Sequence, residues 1–383
     1  MLTAPTPEAL DAWLRVIRAP GLGSTRIREL LSQFGSIRAL ADASAAQLRG
    51  ARVPTAAMAW LSQPDMALLE ADRAWLSAPD HHLLSCDSSD FPALLESSVR
   101  PPAALFVRGD PQWLWFAQIA VVGSRNPTEG GRANARDFAR DLARSGLVIT
   151  SGLADGIDAS AHRAALDAGR PTVAVIATGP DVIYPARNAA LADAIAANGV
   201  IVSEYPPGTT PQRGHFPQRN RVIAGLSLGT LVVEAAQRSG ALITARLAAE
   251  AGREVFALPG SIHNPMAKGC HRLIREGAAL VETVQEITEA LTPHAEQLAT
   301  ALRGRLGAVD QTTAPNPPPT RNDDPDYQRL RAALGHDPVA IDVLVQRSGL
   351  TVDTLSSMLL MLELDGQVVA EHGRYALCSH RGQ

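Results

Sequence analysis

The chain has 383 residues, 46% of them hydrophobic and 19% charged, with a net charge of −4; that length calls for two or three cores, and the composition excludes wholesale disorder. No run of 18 apolar residues occurs and acidic residues precede any apolar run at the start, so neither a secretory signal nor membrane insertion is expected and the chain is assigned to the cytosol. Its three cysteines, Cys86, Cys270 and Cys378, form no CxxC pair, which excludes a disulfide framework and an ordinary thiolate zinc site.

In chain order, residues 9–75 carry helical spacing. Ile17-Arg18-Ala19-Pro20-Gly21-Leu22-Gly23 ahead of Ser24, with Ile27, Leu30, Leu31 and Phe34 following, predicts a helix, tight turn, helix unit, and two such units could fill the span. The turn glycines permit positive φ and expose N–H groups at a helix start, where a phosphate could bind. A packing or protein-contact module is the other reading.

From about Phe106 short apolar runs at 119–122, 147–149, 172–177, 200–202, 230–233 and 254–257 alternate with helical stretches, among them 130–145, 157–168 and 188–198. This pattern predicts a buried parallel sheet with helices on both faces, whose loops at the carboxyl ends of the strands line one crevice. Residues 309–326 are Pro-rich and polar, an extended boundary assigned as a linker over 306–325. Helix candidates at 327–334, 339–347 and 352–364 follow, then a hairpin of 367–370 with 374–377 across Glu371-His372-Gly373, which together suggest a winged helix over 326–383. Its candidate recognition helix, with Thr351, Asp353, Ser356 and Ser357, lacks basic residues, so a protein contact or structural role stands beside DNA binding.

The charge is unevenly placed. Residues 121–275 hold 16 Arg and 1 Lys against 12 acids, a local +5 that leaves −9 elsewhere. Gly123-Ser124-Arg125-Asn126 follows the strand expected at 119–122, where glycine, a hydroxyl and a guanidinium fork can cradle an anion. After the second strand, Ser151-Gly152 and Gly156 imply a tight loop facing the crevice, with Asp158 placed to cap a helix and His162 read as a packing residue. Arg213-Gly214-His215-Phe216-Pro217-Gln218-Arg219-Asn220-Arg221 is the densest basic feature, read as a segment ahead of an apolar helix from Val222; it combines phosphate forks with a ring able to stack on a base. Arg238-Ser239-Gly240 with Thr244, and Lys268 with Arg272 and Arg275, begin two further helices with positive charge. There is no HExxH, GxSxG or GK[ST] signature, so no catalytic or metal-binding residue is assigned, and the absence of GxGxxG with a ribose-binding acid disfavours a dinucleotide cofactor.

Taken together, Gly123-Ser124-Arg125, Ser151 through Asp158 with Ala161-His162, Asp181-Val182-Ile183-Tyr184-Pro185, Ser203-Glu204-Tyr205-Pro206, Phe216 through Arg221, Ser239 through Ala245 and Pro259-Gly260 closely resemble the DprA/Smf family of bacterial DNA-processing proteins. The resemblance implies an extended Rossmann-like domain over 85–305, a helical domain like a sterile alpha motif or helix-hairpin-helix over 1–80, and the winged helix. It also implies a homodimeric, cofactor-free, non-enzymatic protein that protects incoming single-stranded DNA and loads the RecA recombinase in natural transformation. Gly123, Ser124, Arg125, Ser151, Gly152, Phe216, Arg219, Asn220 and Arg221 match the family's pocket positions, and Arg238, Ser239, Gly240, Thr244 and Lys268 join them as expected phosphate contacts. Where the family commonly carries a basic residue this chain has Asp155, which removes a cation. Two rivals are an enzyme similar to lysine-decarboxylase-like phosphoribohydrolases, on Gly229-Thr230 and Glu234, and a non-catalytic interaction scaffold; Leu226-Ser227-Leu228-Gly229 lacks the enzyme group's PGG loop.

Overall fold

A computed structural model describes residues 5–310, 325–334 and 339–352, and beyond them 354, 355, 358, 359, 362, 368–371 and 374–377. It divides into two compact units, Met1–Ala301 and Leu302–Gln383.

The first unit begins with six helices: α1 (Pro7–Ile17), α2 (Ser24–Phe34), α3 (Ile37–Ala41), α4 (Ala45–Gly50), α5 (Thr55–Ser62) and α6 (Met66–Leu76). The Thr6 hydroxyl caps α1 by accepting from the Ala9 amide at 3.3 Å, and Pro7 pre-sets the first helical residue. The expected turn before α2 runs through Gly21 at φ +80°, a conformation that favours glycine. Trp13, Leu14, Leu30, Leu40 and Leu69 form the helical core and share it with Leu83 and Phe106 of the sheet. Arg18 donates two bonds to Asp72, at 2.5 and 2.6 Å, and one to the Pro207 carbonyl at 2.9 Å. Burial raises the Asp72 pKa, and Arg18 opposes that shift.

Strands β1 (His81–Ser85), β2 (Ala104–Gly109), β3 (Gln118–Val122), β4 (Val148–Ser151), β5 (Thr172–Ile176), β6 (Val200–Ser203), β7 (Gly229–Val232), β8 (Glu254–Ala257) and β9 (Ala279–Leu280) make one sheet in the order β1-β2-β6-β5-β4-β3-β7-β8-β9. Neighbours from β6 through β9 pair in parallel, as the continuous apolar runs predict. The sheet is nonetheless mixed: β1 and β2 add an antiparallel edge, with Phe106 opposite Ser203. That edge lies upstream of the strand-helix alternation, and β1 opens with two histidines rather than an apolar run.

The connecting helices are α7 (Ala93–Glu96), α8 (Glu129–Arg144), α9 (Ile157–Asp167), α10 (Ala189–Asn198), α11 (His215–Leu226), α12 (Gly240–Glu250) and α13 (Lys268–Arg275), and α14 (Val284–Asp310) ends the run. Period-2 side-chain alternation splits the sheet between two cores. Val173 and Val175 of β5 pack with Val222, Ile223 and Leu226 of α11. Their neighbours Ala174 and Ile176 pack with Leu191, Ala192 and Ile195 of α10. The strand order reverses direction at β3: β4, β5 and β6 extend to one side and β7, β8 and β9 to the other.

The second unit contains α15 (Pro325–Ala333), β10 (Val339–Ala340), α16 (Ile341–Ser348), β11 (Val368–Glu371) and β12 (Arg374–Leu377), with sheet order β10-β12-β11. The hairpin is present, with Val368 opposite Leu377, while 339–340, expected to be helical, form the third strand. Leu330, Leu344, Leu355, Leu359 and Val368 share its core. Residues 306–310, expected as linker, continue α14; the remaining linker to 324, and Asp353, Ser356, Ser357 and Cys378, lie outside the described residues.

Candidate nucleic-acid interface

The reversal of strand order at β3 opens a crevice at the carboxyl ends of β3, β4 and β7, the position such sheets use for ligands. A cavity of about 700 Å³ lies there, with Gly123, Ser124, Arg125, Phe216, Asn220 and Thr244 in its wall.

The turn after β3 is held from below. The Ser124 amide donates to the Glu234 carbonyl at 2.7 Å, and the Ser124 hydroxyl accepts from the Asn126 amide at 3.1 Å. Fixing that backbone leaves the Arg125 side chain exposed, with its guanidinium 5.5 Å from the centre of the Phe216 ring. Tyr184 meets Phe216 at a centroid distance of 5.7 Å. Arg125 makes no ion pair among the described residues, so its charge faces the cavity.

Glu234 is spent on this turn. Its carboxylate accepts from the Thr128 amide at 2.9 Å, the Thr128 hydroxyl at 2.6 Å and the Asn264 side chain at 3.2 Å. It therefore places negative charge at the start of α8, where the helix dipole favours it. A Cβ at Gly131 would lie 2.5 Å from the carboxylate Oε2, which explains a glycine inside that helix.

Arg219 takes a different role. Its Nη1 donates to the Gly152 carbonyl at 2.6 Å and to the Val175 carbonyl, and its Nε donates to Asn220 at 3.2 Å. The residue is only 6% exposed, yet it reaches the wall of the cavity. Burial pulls its pKa down to about 10, against the attraction of nearby Asp158. Gly152, expected as an anion contact, is the seat of this guanidinium, since a Cβ there would be 2.5 Å from Nη1.

Four expected contacts point elsewhere. The Ser151 hydroxyl turns into the sheet and donates to the Val121 carbonyl at 2.6 Å, because a strand residue alternates away from the loop it precedes. Arg221 pairs with Glu204 and donates to the Arg100 carbonyl at 2.5 Å. The basic segment is not a loop: α11 starts at His215, so residues 219 and 221 diverge by roughly 200° about the helix axis. Arg238 is not in the wall of the main cavity; it lines an adjoining depression with Arg246 and Arg253. Lys268 is exposed at the first residue of α13 and lies outside the crevice wall.

Asp158 also departs from expectation. The residue before α9 is Gly156, and Asp158 Oδ2 instead accepts from the Gly152 and Ala154 amides at 3.1 and 3.4 Å, tying the loop after β4. Burial raises its pKa despite Arg219 nearby. His162 is fully buried with Nδ1 2.7 Å from the Thr172 hydroxyl, and burial lowers its pKa to about 3. Asp155, expected to repel phosphate, is paired with Arg187 through Nε at 2.7 Å and through Nη2.

The other crevice wall is the start of α12. Ser239 caps it by accepting from the Ala241 amide at 3.3 Å, Gly240 opens it, and Thr244 is buried one turn in. All three border the cavity, so an 11-residue helix directs its positive end there. Residue-type reasoning left Tyr184 without a role, although Tyr184-Pro185 was visible as a pattern, and left Arg213, also in the wall, among the general basic density. No group of three or more His, Cys, Asp or Glu side chains suited to a metal occurs among the described residues, and no described helix is long and apolar enough to cross a membrane.

Family models and curated relatives agree on one family. A family model described as DNA recombination-mediator protein A matches residues 82–292, and one described as DprA winged helix domain matches residues 314–374. Protein Smf of Escherichia coli (strain K12) is 41% identical over 319 residues, covering 83% of this chain and 79% of that protein. The X-ray structure of DNA processing protein A from Streptococcus pneumoniae is similar at TM-score 0.65 and 38% identity, covering 75% of this chain and 98% of that one. The Helicobacter pylori DNA processing protein A, whose structure describes a single-stranded DNA binding mode, is similar at TM-score 0.50 and 30% identity, covering 56% and 96%. By its family-model match and its likeness to Protein Smf, the chain belongs to the DNA recombination-mediator protein A (DprA/Smf) family.

Proposed function

We propose that this protein binds single-stranded DNA along the crevice and, as a homodimer in the cytosol, protects the strand and hands it to the RecA recombinase during natural transformation. The carrying observation is the exposed Arg125 guanidinium stacked near the Phe216 ring, beside the start of α12. Phosphates meet Arg125, Arg213 and the helix end, while bases stack on Phe216 and Tyr184; such a site reads charge and ring faces rather than sequence. Arg219 contributes positive field from beneath the floor and holds the loops in register. The binding of single strands by the Helicobacter pylori relative supports this reading.

We read the core as an extended Rossmann-like domain over 85–305, flanked by an accessory helical module over 1–80 and by a winged helix reached through a Pro-rich tether. The low basic content of the candidate recognition helix favours protein contact for the winged helix. A nucleotide-hydrolysing role is disfavoured because the Glu234 carboxylate is engaged by Thr128 and Asn264.

Fluorescence anisotropy with labelled oligothymidine across a salt series tests the binding half. Affinity should fall with salt, and substituting Arg125 should flatten the dependence by about 0.7 in log–log slope for the lost contact. Unchanged affinity and slope in a folded Arg125→Ala protein would remove the crevice from consideration. For the delivery half, the protein should shorten the lag of RecA filament growth on single strands, and an unaltered lag refutes it.

A further inference from the structure

The crevice does not end at Arg125. A narrow cavity of about 90 Å³ shares Arg125, Tyr184, Phe216 and Arg219 with the main one. That narrow cavity in turn shares Arg125, Asp155 and Arg187 with a third, of about 240 Å³, whose wall adds Arg132 from α8 and Arg163 from α9. Three hollows joined through common side chains make one track.

The charge in the third hollow is out of balance. Four guanidinium groups from four separate stretches face a single carboxylate, Asp155, which Arg187 already holds. Arg163 is exposed and has no ion pair among the described residues, and Arg132 comes no nearer than 3.8 Å to the exposed Glu129. The far end of α8 shows how a solvated face is normally neutralised: Arg140 bonds Asp137 and Asp141, each at 2.9 Å. Like charges gathered around a concavity repel one another unless an anion enters.

The local backbone fits the same ligand. Gly156 precedes α9 at φ +78° and offers no side-chain cap, and a Cβ there would lie 2.6 Å from Pro127. The start of α9 is thereby pressed against the loop that carries Arg125, with Gly156 itself in the wall.

We propose that this hollow is a second phosphate subsite, in which a single strand seated in the main crevice passes over Arg125 and sets its next phosphates on Arg132, Arg163 and Arg187. The proposal rests on the reading of the crevice as a single-strand site and adds the direction of the strand. Arg187 exchanges Asp155 for phosphate when the strand arrives, and Tyr184 and Phe216 lie between the two phosphate positions to stack the intervening bases.

Binding is measured for two labelled oligothymidines, one short enough to fill only the main crevice and one several times longer. The variants are Arg132→Gln/Arg163→Gln, Asp155→Asn and Arg125→Gln, each checked for folding by circular dichroism. The double variant should weaken the long oligonucleotide about tenfold or more and lower its salt slope by about 1.4, for two lost contacts. It should leave the short one within about twofold. Asp155→Asn, which frees Arg187, should tighten the long oligonucleotide several-fold. If the double variant leaves the long oligonucleotide unchanged while Arg125→Gln impairs both, the subsite is wrong and the crevice reading stands. Equal weakening of both lengths would show a diffuse field rather than a subsite. If Arg125→Gln alters neither, the crevice reading fails and takes the subsite with it.

Discussion

The turn after β3 and the opening turns of α11 are both arginine-bearing walls of one cavity, yet they present charge in opposite ways. Arg125 extends from a turn whose backbone is held by Glu234, and its side chain has a ring for company and no ion pair among the described residues. Arg219 is buried among the Gly152 and Val175 carbonyls with Asp158 nearby, and Arg221 is paired with Glu204. The number of arginines in a stretch therefore does not measure the charge offered to a ligand; the number left without an internal partner does. On this view Arg219 and Arg221 stabilise the fold and Arg125 binds.

The sharpest way to break that division is to remove Arg219. Arg219→Met leaves two buried carbonyls without their donor and Asp158 without its nearest positive charge. The expected loss is about 3–5 kcal/mol of stability, or roughly 5–8 °C in thermal midpoint. Arg125→Ala should cost no more than about 0.5 kcal/mol of stability. Thermal denaturation of the two variants checks the contrast, and equal losses would erase it.

Burial also gives the Arg219 side a pH signature. His162 is held near 3 in the fold against 6.5 when free. Above 6.5 it is neutral in both states and its stabilising contribution is complete. As pH falls from 6.5 toward 3 the unfolded chain takes up a proton that the folded chain refuses, so stability drains away. Asp158, raised in the fold, works in the opposite direction once its carboxyl begins to protonate. The net His162 contribution is on the order of a few kcal/mol. His162→Gln should flatten the fall of thermal midpoint between those pH values; an identical slope would contradict the assignment.

Binding supplies the next test. Arg125→Ala should weaken single-strand affinity by about 2 kcal/mol, roughly 30-fold, through loss of a charge-assisted contact. Phe216→Ala should cost about 1–3 kcal/mol through loss of base stacking. Anisotropy titrations at fixed salt measure both, and a larger loss in Arg219→Lys than in Arg125→Ala would reverse the roles assigned to the two walls.

How much of this was legible in the residues follows from the same division. The parallel core could be read because β3, β5 and β6 are continuous apolar runs between helix-length stretches. Ser124, Arg125, Phe216 and Asn220 lie in the cavity wall, and for Ser124 and Arg125 that position was legible because a turn after a parallel strand opens toward the carboxyl edge. The antiparallel edge could not, since β1 begins with His81 and His82, and its pairing with β2 is a long-range choice that no local pattern encodes. Arg221 and Ser151 point away from the cavity because side-chain direction depends on where an element starts. Moving the start of α11 from Val222 to His215 turns a flexible basic loop into a helix with separate faces. The third hollow was invisible for a related reason: Arg132, Arg163 and Arg187 are far apart in the chain and each lies in an unremarkable stretch.

Arg221→Gln carries the smallest expected effect and isolates the rule most cleanly. Glu204 accepts from the Ser24 hydroxyl at 2.6 Å as well as from Arg221, so the pair joins α2 to the end of β6 and to α11. Its two side chains are 14% and 10% exposed, which makes it stronger than an open surface pair, and its loss should cost about 1 kcal/mol. That loss should show as faster amide exchange in α2. Because Arg221 points away from the cavity and its charge is already matched by Glu204, DNA affinity should change less than twofold and the salt slope should hold. A slope reduced by about 0.7 would mean that the guanidinium leaves Glu204 to take a phosphate. An internal partner would then no longer mark an arginine as structural, and the difference between the two walls would be one of readiness rather than of role.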